Sequence, residues 1–343
     1  MNPTDLRAAL LRALSLAEQA VGLSDPNPRV GCVILAPDGR ELGAGHTQAA
    51  GQAHAEVMAL RDAAAHGRDV RGATAVVTLE PCAHHGRTPP CCDALIAAGI
   101  ARVVSAVEDP NPQVAGQGLA RLKAAGVQVE RAEPAIAAAA RELNIGFFSR
   151  MQRGRPFVRL KSAISLDGRT ALPDGRSQWI TGEAARADGH AWRRRAGAVL
   201  TGIGTVLADD PRLDVRLVPT ARQPLRIVLD PQGRMPGNAR LLQPPGEARV
   251  IGPGRADLHA LLAELGGQGI NELHVEAGPT LSGAFLDAGL VDELLVYQAP
   301  MLIGAGRPLA TLAPLAGLGD ARRWRLIEAT PVGQDLRLRL RPT

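Results

Sequence analysis

Two short segments of the chain carry ligand chemistry: His54-Ala55-Glu56, and Pro81-Cys82 followed after eight residues by Cys91. One imidazole and two thiolates fill three of the four tetrahedral positions of a zinc ion. The fourth is left for water, which is the arrangement of a catalytic site rather than a structural one. Zinc held in this way lowers the pKa of its water from about 15.7 to about 7, so hydroxide is available at neutral pH. Glu56 is then the group that carries the proton. His54 and Glu56 are two residues apart and do not share one side of a helix, but they converge if a helix begins here. The N-terminal end of such a helix favours a bound hydroxide. Cys92 is the alternative to Cys91 as the second thiolate, and Cys32, inside the apolar run VGCVIL, is a core residue.

Those residues must be positioned by strands and helices, and the hydrophobic pattern supplies them. Leucines at helical spacing predict an amphipathic helix over Asp5–Val21, and Pro26-Asn27-Pro28 a non-helical loop. Strands are expected at Val30–Leu35, Ala75–Leu79, Arg102–Val107 and Val127–Glu130, the second delivering Cys82 at its carboxyl end. Between them fall helices at His54–Ala65, Cys92–Ala98 and Leu119–Ala125, with an alanine-rich helix at Pro134–Leu143. Strands alternating with helices argue for a layered α/β sheet. The polar, basic stretch Ser149–Pro156 is read as the boundary between domains at 1–150 and 155–343.

The second half lacks a metal cluster but repeats the alternation. Strands are expected at Phe157–Ile164, Ala198–Thr201, Leu225–Leu229, Ala248–Ile251, Glu272–Val275 and Glu293–Gln298. Helices are expected at Glu183–Arg195, Leu258–Leu265 and Thr280–Ala288. The turn Glu276-Ala277-Gly278-Pro279-Thr280 follows a strand and opens a helix, with Pro279 suited to the first turn, so its N–H groups suit a cofactor phosphate. Neither this turn nor Thr201-Gly202-Ile203-Gly204-Thr205 completes the G-x-G-x-x-G fingerprint, so the pattern gives no Rossmann assignment.

Composition bounds the function. A chain of 343 residues exceeds what a single hydrophobic core usually fills, so two domains are expected. Four cysteines, three of them clustered, make no disulfide framework and suit a reducing, cytoplasmic setting. No apolar run reaches spanning length, so no membrane role is expected. A net charge of +5 with 2% aromatic residues argues against nucleic-acid binding and for a small phosphorylated ligand. Self-association into a homo-oligomer stays open.

The pairing of H-x-E with P-C and a further cysteine is the signature of zinc nucleobase deaminases, in which the glutamate shuttles protons without binding metal. The run from Pro81 to Cys92, PCAHHGRTPPCC, replaces the usual one-turn spacing with an excursion. In that respect it resembles the deaminase half of the bifunctional deaminase-reductases of riboflavin biosynthesis. The resemblance extends over nearly the whole chain. In the second half it is carried by K-x-A-x-S-L-D-G-R-T-A from Lys161, S-Q-W-I-T from Ser177, T-V-L-A-D-D-P from Thr205 and V-E-A-G-P-T-L from Val275.

What the resemblance implies is specific. The fold would be a cytidine-deaminase-like three-layer domain followed by an α/β domain similar to dihydrofolate reductase. Zinc would be held by His54, Cys82 and Cys91, leaving Cys92 to the core, and Glu56 would be catalytic. Asn27, in P-N-P-x-V-G, would hold the pyrimidine, and Arg87 would meet the substrate phosphate. The family's histidine seven residues before the zinc histidine is replaced here by Thr47, with His46 one position earlier. NADPH would lie along Ala163, Trp179, Thr205, Asp209, Pro231 and the segment Gly278, Pro279, Thr280, Leu281, Ser282, Gly283 and Ala284. Ser177, Arg193, Leu213, Arg216 and Glu276 would contact substrate.

Physical chemistry supports part of that assignment. Arg193 and Arg216 suit bidentate phosphate pairing, although Arg193-Arg194-Arg195 near a helix C-terminus also reads as a solvated cationic face. Lys161 stands among apolar residues on a strand and can polarise or protonate a reacting group, with Glu276 or Asp209 to orient it. The implied reactions are zinc-dependent deamination of a diaminopyrimidinone bearing a phosphoribosylamino group, then NADPH-dependent reduction of its ribosyl group to ribityl. Two other readings fit parts of the pattern: a deaminase of nucleosides or RNA bases with a C-terminal binding module, and a ligand sensor with structural zinc. The long Cys82–Cys91 loop and the scarcity of aromatics disfavour the first of these.

Overall fold

The computed structural model describes residues 3–84, 89–112, 114–254 and 257–343. It divides into two units, Met1–Gly154 and Arg155–Thr343. Arg87 lies outside the described residues.

The first unit runs α1 (Pro3–Glu18), β1 (Gly31–Leu35), β2 (Glu41–His46), α2 (Ala55–Ala65), β3 (Thr74–Val77), α3 (Cys91–Ala97), β4 (Arg102–Ser105), α4 (Gln117–Ala124), β5 (Gln128–Arg131), α5 (Pro134–Leu143) and α6 (Ile145–Arg153). Its sheet has the order β2-β1-β3-β4-β5. β1 is antiparallel to both neighbours, and β3, β4 and β5 are parallel.

Glycines fix which helices cover which face. A Cβ on Gly31 would stand 1.9 Å from the carbonyl oxygen of Ala13, so α1 lies against that side. Cys32, the next residue, faces the other way, as successive strand residues must. Its cross-strand partner is Gly45, where a Cβ would meet Met58 and Ala59 of α2. α1 and α2 therefore sit on opposite faces of one sheet, and the unit has three layers. The core between them is aliphatic, including Val33, Ile34, Val76, Val103 and Leu95.

The second unit continues β6 (Phe157–Ile164), β7 (Arg169–Ala171), α7 (Glu183–Arg195), β8 (Ala198–Gly202), α8 (Ile203–Asp209), β9 (Leu225–Leu229), β10 (Ala248–Ile251), α9 (Leu258–Gly267), β11 (Glu272–Glu276), α10 (Pro279–Asp287), β12 (Glu293–Gln298), β13 (Arg307–Pro308), β14 (Trp324–Val332) and β15 (Asp335–Pro342). Eight strands form one sheet in the order β10-β9-β8-β11-β6-β12-β15-β14. The six from β10 to β12 are parallel, and β15 and β14 close the edge antiparallel. β7 and β13 pair separately.

The two faces of this sheet differ. Val158, Leu160, Leu273 and Val275 pack with Leu262, Leu265 and Phe285 in an apolar core. Arg159, Glu272 and Glu293, one residue out of phase with those aliphatics, form a buried ion cluster on the other face. There Arg159 bonds Glu293 at 2.6 Å and Glu272 at 2.8 Å, with the Trp192 ring of α7 against its guanidinium.

Several elements escape the sequence reading, among them the short β7, α8 and β13. β2 (ELGAGH) has too little aliphatic content to stand out as a strand, because its glycines make room for α2. α6 occupies Ser149–Arg153, so more than half of the stretch read as a boundary is helix, and Gly154 ends it in a left-handed conformation. The β14–β15 hairpin is arginine-rich, and its ion pairs to Glu293 and Glu328 replace the usual apolar signature.

Candidate active sites

In the first unit the metal-type ligands come from two helix starts and one strand end. His54 is the N-cap of α2, Glu56 lies in its first turn, and Cys91 is the first residue of α3. Cys82 follows β3, whose continuation is held by the bond from Glu80 N to Val107 O. His54 Nδ1 stands 3.3 Å from Cys91 Sγ and 3.7 Å from Cys82 Sγ, and all three donor atoms lie within 4.8 Å of one another. Ligands about 2.0–2.3 Å from a common tetrahedral centre are separated by roughly 3.5 Å, so this set fits zinc. The two thiols share one proton: the hydrogen bond between them pulls Cys82 down and pushes Cys91 up. A thiolate is the form that binds metal.

Cys92 turns away from this set. Its thiol is buried and donates to the carbonyls of Pro81 and Gly118, a core role. Cys32 is likewise fully buried, and burial raises its pKa.

Glu56 is 3% exposed, and burial followed by the Cys82 charge pushes its carboxyl up to about 7. It lines a cavity of about 270 Å³ together with His54, Cys82, Asn27 and Thr47. Thr47, not His46, occupies the wall, and its hydroxyl bonds the backbone of Val30.

The remaining walls hold residues to which the sequence reading gives no role. Asp109 and Asn111 line the cavity, as do Phe147, Arg150 and Met151 of α6. One signal was available: Asp-Pro-Asn-Pro occurs twice, at 25–28 and 109–112, and both copies reach the cavity. Glu80 fixes the second copy by accepting from the backbone N–H groups of Asp109, Gly116, Gly118 and Leu119.

In the second unit the expected residues gather at the carboxyl ends of the parallel strands, where open α/β sheets bind ligands. Lys161 on β6 pairs directly across from Glu276 on β11, and its Nζ is 3.6 Å from Glu276 Oε2. Arg193 reaches Glu276 with Nε and with Nη2, the latter at 3.0 Å, and gives Nη1 to Asp214 O at 3.1 Å. Burial alone would raise the Glu276 carboxyl, but Arg193 and then Lys161 hold it well below the ordinary range. The solvated reading of the arginine triplet is therefore corrected: Arg193 engages Glu276, and Arg195 engages Glu272 at 2.9 Å. These side chains point into the sheet because both carboxylates lie on its charged face.

Arg216 bonds Asp214 at 2.6 Å, and its backbone N–H donates to His190. Ser177 donates to Asp209 at 3.4 Å, so Asp209 orients Ser177 and Glu276 is the carboxylate beside Lys161. Leu213 is buried with φ of +53°. Trp179 is exposed, with the Arg186 guanidinium over its ring.

The expected cofactor segment divides. Gly278 caps α10 with no side-chain cap, and a Cβ there would meet only Thr205 Oγ1 at 3.8 Å. The start of α8 adjoins that of α10, since a Cβ on Gly202 would touch Leu281 at 3.3 Å. Two adjacent helix starts with open backbone N–H groups fit a dinucleotide phosphate. Ala163 and Pro231 lie at the same strand ends. Ser282 instead bonds Ala277 O, and Gly283 packs on Thr311 O, where a Cβ would stand at 2.0 Å.

The two units thus pair a metal-type deaminase pocket with a nucleotide-type reductase edge, and comparison with known proteins agrees. Residues 3–107 match the family described as the cytidine and deoxycytidylate deaminase zinc-binding region, and residues 156–338 match the RibD C-terminal domain. The riboflavin biosynthesis protein RibD of Escherichia coli is 49% identical, with 96% of this chain and 98% of that protein aligned. That of Aquifex aeolicus is 39% identical over 94% and 95%. Among solved structures, Acinetobacter baumannii RibD is 44% identical with a TM-score of 0.91, covering 99% of both chains. A Thermotoga maritima protein described as diaminohydroxyphosphoribosylaminopyrimidine deaminase/5-amino-6-(5-phosphoribosylamino)uracil reductase is 33% identical with a TM-score of 0.89, again covering 99% of both. The chain belongs to the RibD family, the bifunctional deaminase-reductases of riboflavin biosynthesis. Its cofactors are zinc and NADPH. No helix among the described residues is long and apolar enough to cross a membrane.

Proposed function

We propose that residues 1–150 deaminate a diaminopyrimidinone bearing a phosphoribosylamino group, and that residues 155–343 then reduce the ribosyl group of the product to ribityl. The observation that carries this reading is the convergence of His54, Cys82 and Cys91 beside a buried Glu56 in one cavity.

His54, Cys82 and Cys91 would hold zinc, which when bound supplies the Lewis acidity that makes water a nucleophile near neutral pH. Glu56 takes the proton released by the attacking water and returns it to the leaving amino group, which departs as ammonia. A buried carboxyl lining the same cavity as the metal ligands is placed for both halves of that transfer. Asn27, which lines the same cavity, orients the pyrimidine, and Arg87 meets the phosphate.

In the second step NADPH supplies hydride. It would lie on Ala163, Trp179, Thr205, Asp209, Pro231 and the start of the segment from Gly278, with Ser282 and Gly283 packing behind it. Lys161 Nζ provides the proton that balances the hydride, and Glu276 keeps that ammonium in place. Ser177, Arg193, Leu213, Arg216 and Glu276 contact the phosphoribosyl substrate. The reactions belong in the cytoplasm, where the four free cysteines stay reduced. Self-association remains compatible with both steps.

The test follows ammonia release and NADPH oxidation together in one sample of zinc-loaded protein given the phosphoribosylamino diaminopyrimidinone. NADPH loss that depends on prior ammonia release is expected, and absence of either signal overturns the corresponding half. Glu56→Gln keeps its zinc and loses at least about 100-fold in ammonia release; an unchanged rate removes Glu56 from the mechanism.

A further inference from the structure

The deaminase family match ends at residue 107, yet one wall of the deamination cavity comes from α6, some forty residues later. The junction of α5 and α6 is locked to the loop carrying Asn27. Asn144 exchanges both amide bonds with the backbone of Arg29, at 2.7 and 2.9 Å, and Arg29 donates back to Leu143 O at 3.0 Å. One turn further on, Arg150 donates from Nη2 to Pro26 O at 3.0 Å and lies 5.6 Å from the Phe147 ring.

The charges around the cavity single out Arg150. Among the described lining residues the carboxylates are Glu56, Glu80 and Asp109. His54 belongs to the metal set, and His84 is exposed. Arg150 is the permanently charged cation on the described wall. Burial works against that cation and Asp25 supports it, and its place on the cavity wall puts it where an arriving anion can meet it. A planar guanidinium offers paired donors in the geometry a phosphate accepts.

We propose that Arg150 is a specificity-determining residue of the deamination site, its guanidinium engaging the phosphate of the substrate's phosphoribosyl arm. This rests on the deaminase reading above. α6 thereby adds to the zinc-deaminase framework a wall that distinguishes a phosphorylated pyrimidine from its free nucleoside.

The experiment measures ammonia release by the full, zinc-loaded chain, as wild type, Arg150→Gln and Arg150→Lys, on the phosphorylated substrate and on its dephosphorylated counterpart. The expected result for Arg150→Gln is a KM raised about 10- to 100-fold more on the phosphorylated substrate than on the dephosphorylated one, whose smaller loss measures the bond to Pro26. Arg150→Lys recovers part of the loss. Equal losses on both substrates make Arg150 only a clamp on the Pro26 loop and overturn the proposal, as does no loss on either. Should Arg150→Gln fail to retain zinc, ribose 5-phosphate carries the test: it competes with substrate in wild type and more weakly in Arg150→Lys, and an unchanged inhibition constant overturns the proposal. Failure of the wild type to release ammonia would instead sink the deaminase reading.

Discussion

Neighbouring thiols at positions 91 and 92 sit in different surroundings, which give them opposite responses to one substitution. Cys91 Sγ faces His54 and Cys82, whereas Cys92 Sγ is spent on the carbonyls of Pro81 and Gly118. Serine is a poor zinc ligand but a competent hydrogen-bond donor. Cys91→Ser is therefore expected to lose most bound zinc and ammonia release, and Cys92→Ser to keep both. Metal analysis of the purified variants checks this, and the reverse outcome would exchange the two assignments. At this scale the sequence was most informative where chemistry needs rare residues at fixed spacing, as at His54, Glu56 and Cys82. It was silent on Arg150, because an arginine has no distinctive spacing and acquires a role only when remote segments meet.

At the scale of elements, the first sheet was legible in its aliphatic strands and hidden in β2, where glycines stand in for side chains. That hidden strand matters to the site, since α2 carries both His54 and Glu56 and packs on Gly43 and Gly45. Gly31 does the same for α1 on the opposite face. Gly31→Ala would drive a methyl into the backbone of Ala13, so we expect a destabilisation of about 1–3 kcal/mol. Gly189 is the counterexample. It sits inside α7 with no atom within 4 Å of a built Cβ, so Gly189→Ala should stabilise by about 0.5–1 kcal/mol through helix propensity. Denaturant unfolding of both variants checks the pair, and a neutral Gly31→Ala would mean that α1 can withdraw from the sheet without cost.

At the scale of the whole molecule, the change of motifs along the chain announces two units, and the charges that alternate with aliphatics in β6 and β11 have an unusual place. Charges at every second position ordinarily mark a solvated face. Here α7 covers them, and Arg159, Glu272 and Glu293 are each no more than 1% exposed. The charges are tolerable because they neutralise one another: Glu293 meets Arg159, Arg339 at 2.8 Å and Arg341 at 2.9 Å. Burial alone would raise the Glu293 carboxyl, but the arginines, Arg159 first, outweigh it and hold the group at about 2 against an ordinary 4.5. A carboxyl depressed on folding stabilises the protein fully above its unfolded value and loses that contribution as pH falls from about 4.5 through about 2. The shift corresponds to about 3 kcal/mol. All three tryptophans, Trp179, Trp192 and Trp324, lie in the second unit, and the Trp192 ring is 4.3 Å from the Arg159 guanidinium. Intrinsic fluorescence of the full chain therefore reports this unit selectively. Its denaturant midpoint should fall steeply across that acid window. Glu293→Gln, which leaves a buried arginine cluster short of one carboxylate, should be destabilised by about 3 kcal/mol at neutral pH and show a flatter acid profile. A wild-type midpoint unchanged between pH 4.5 and 2 would mean that the cluster is already uncoupled from folding.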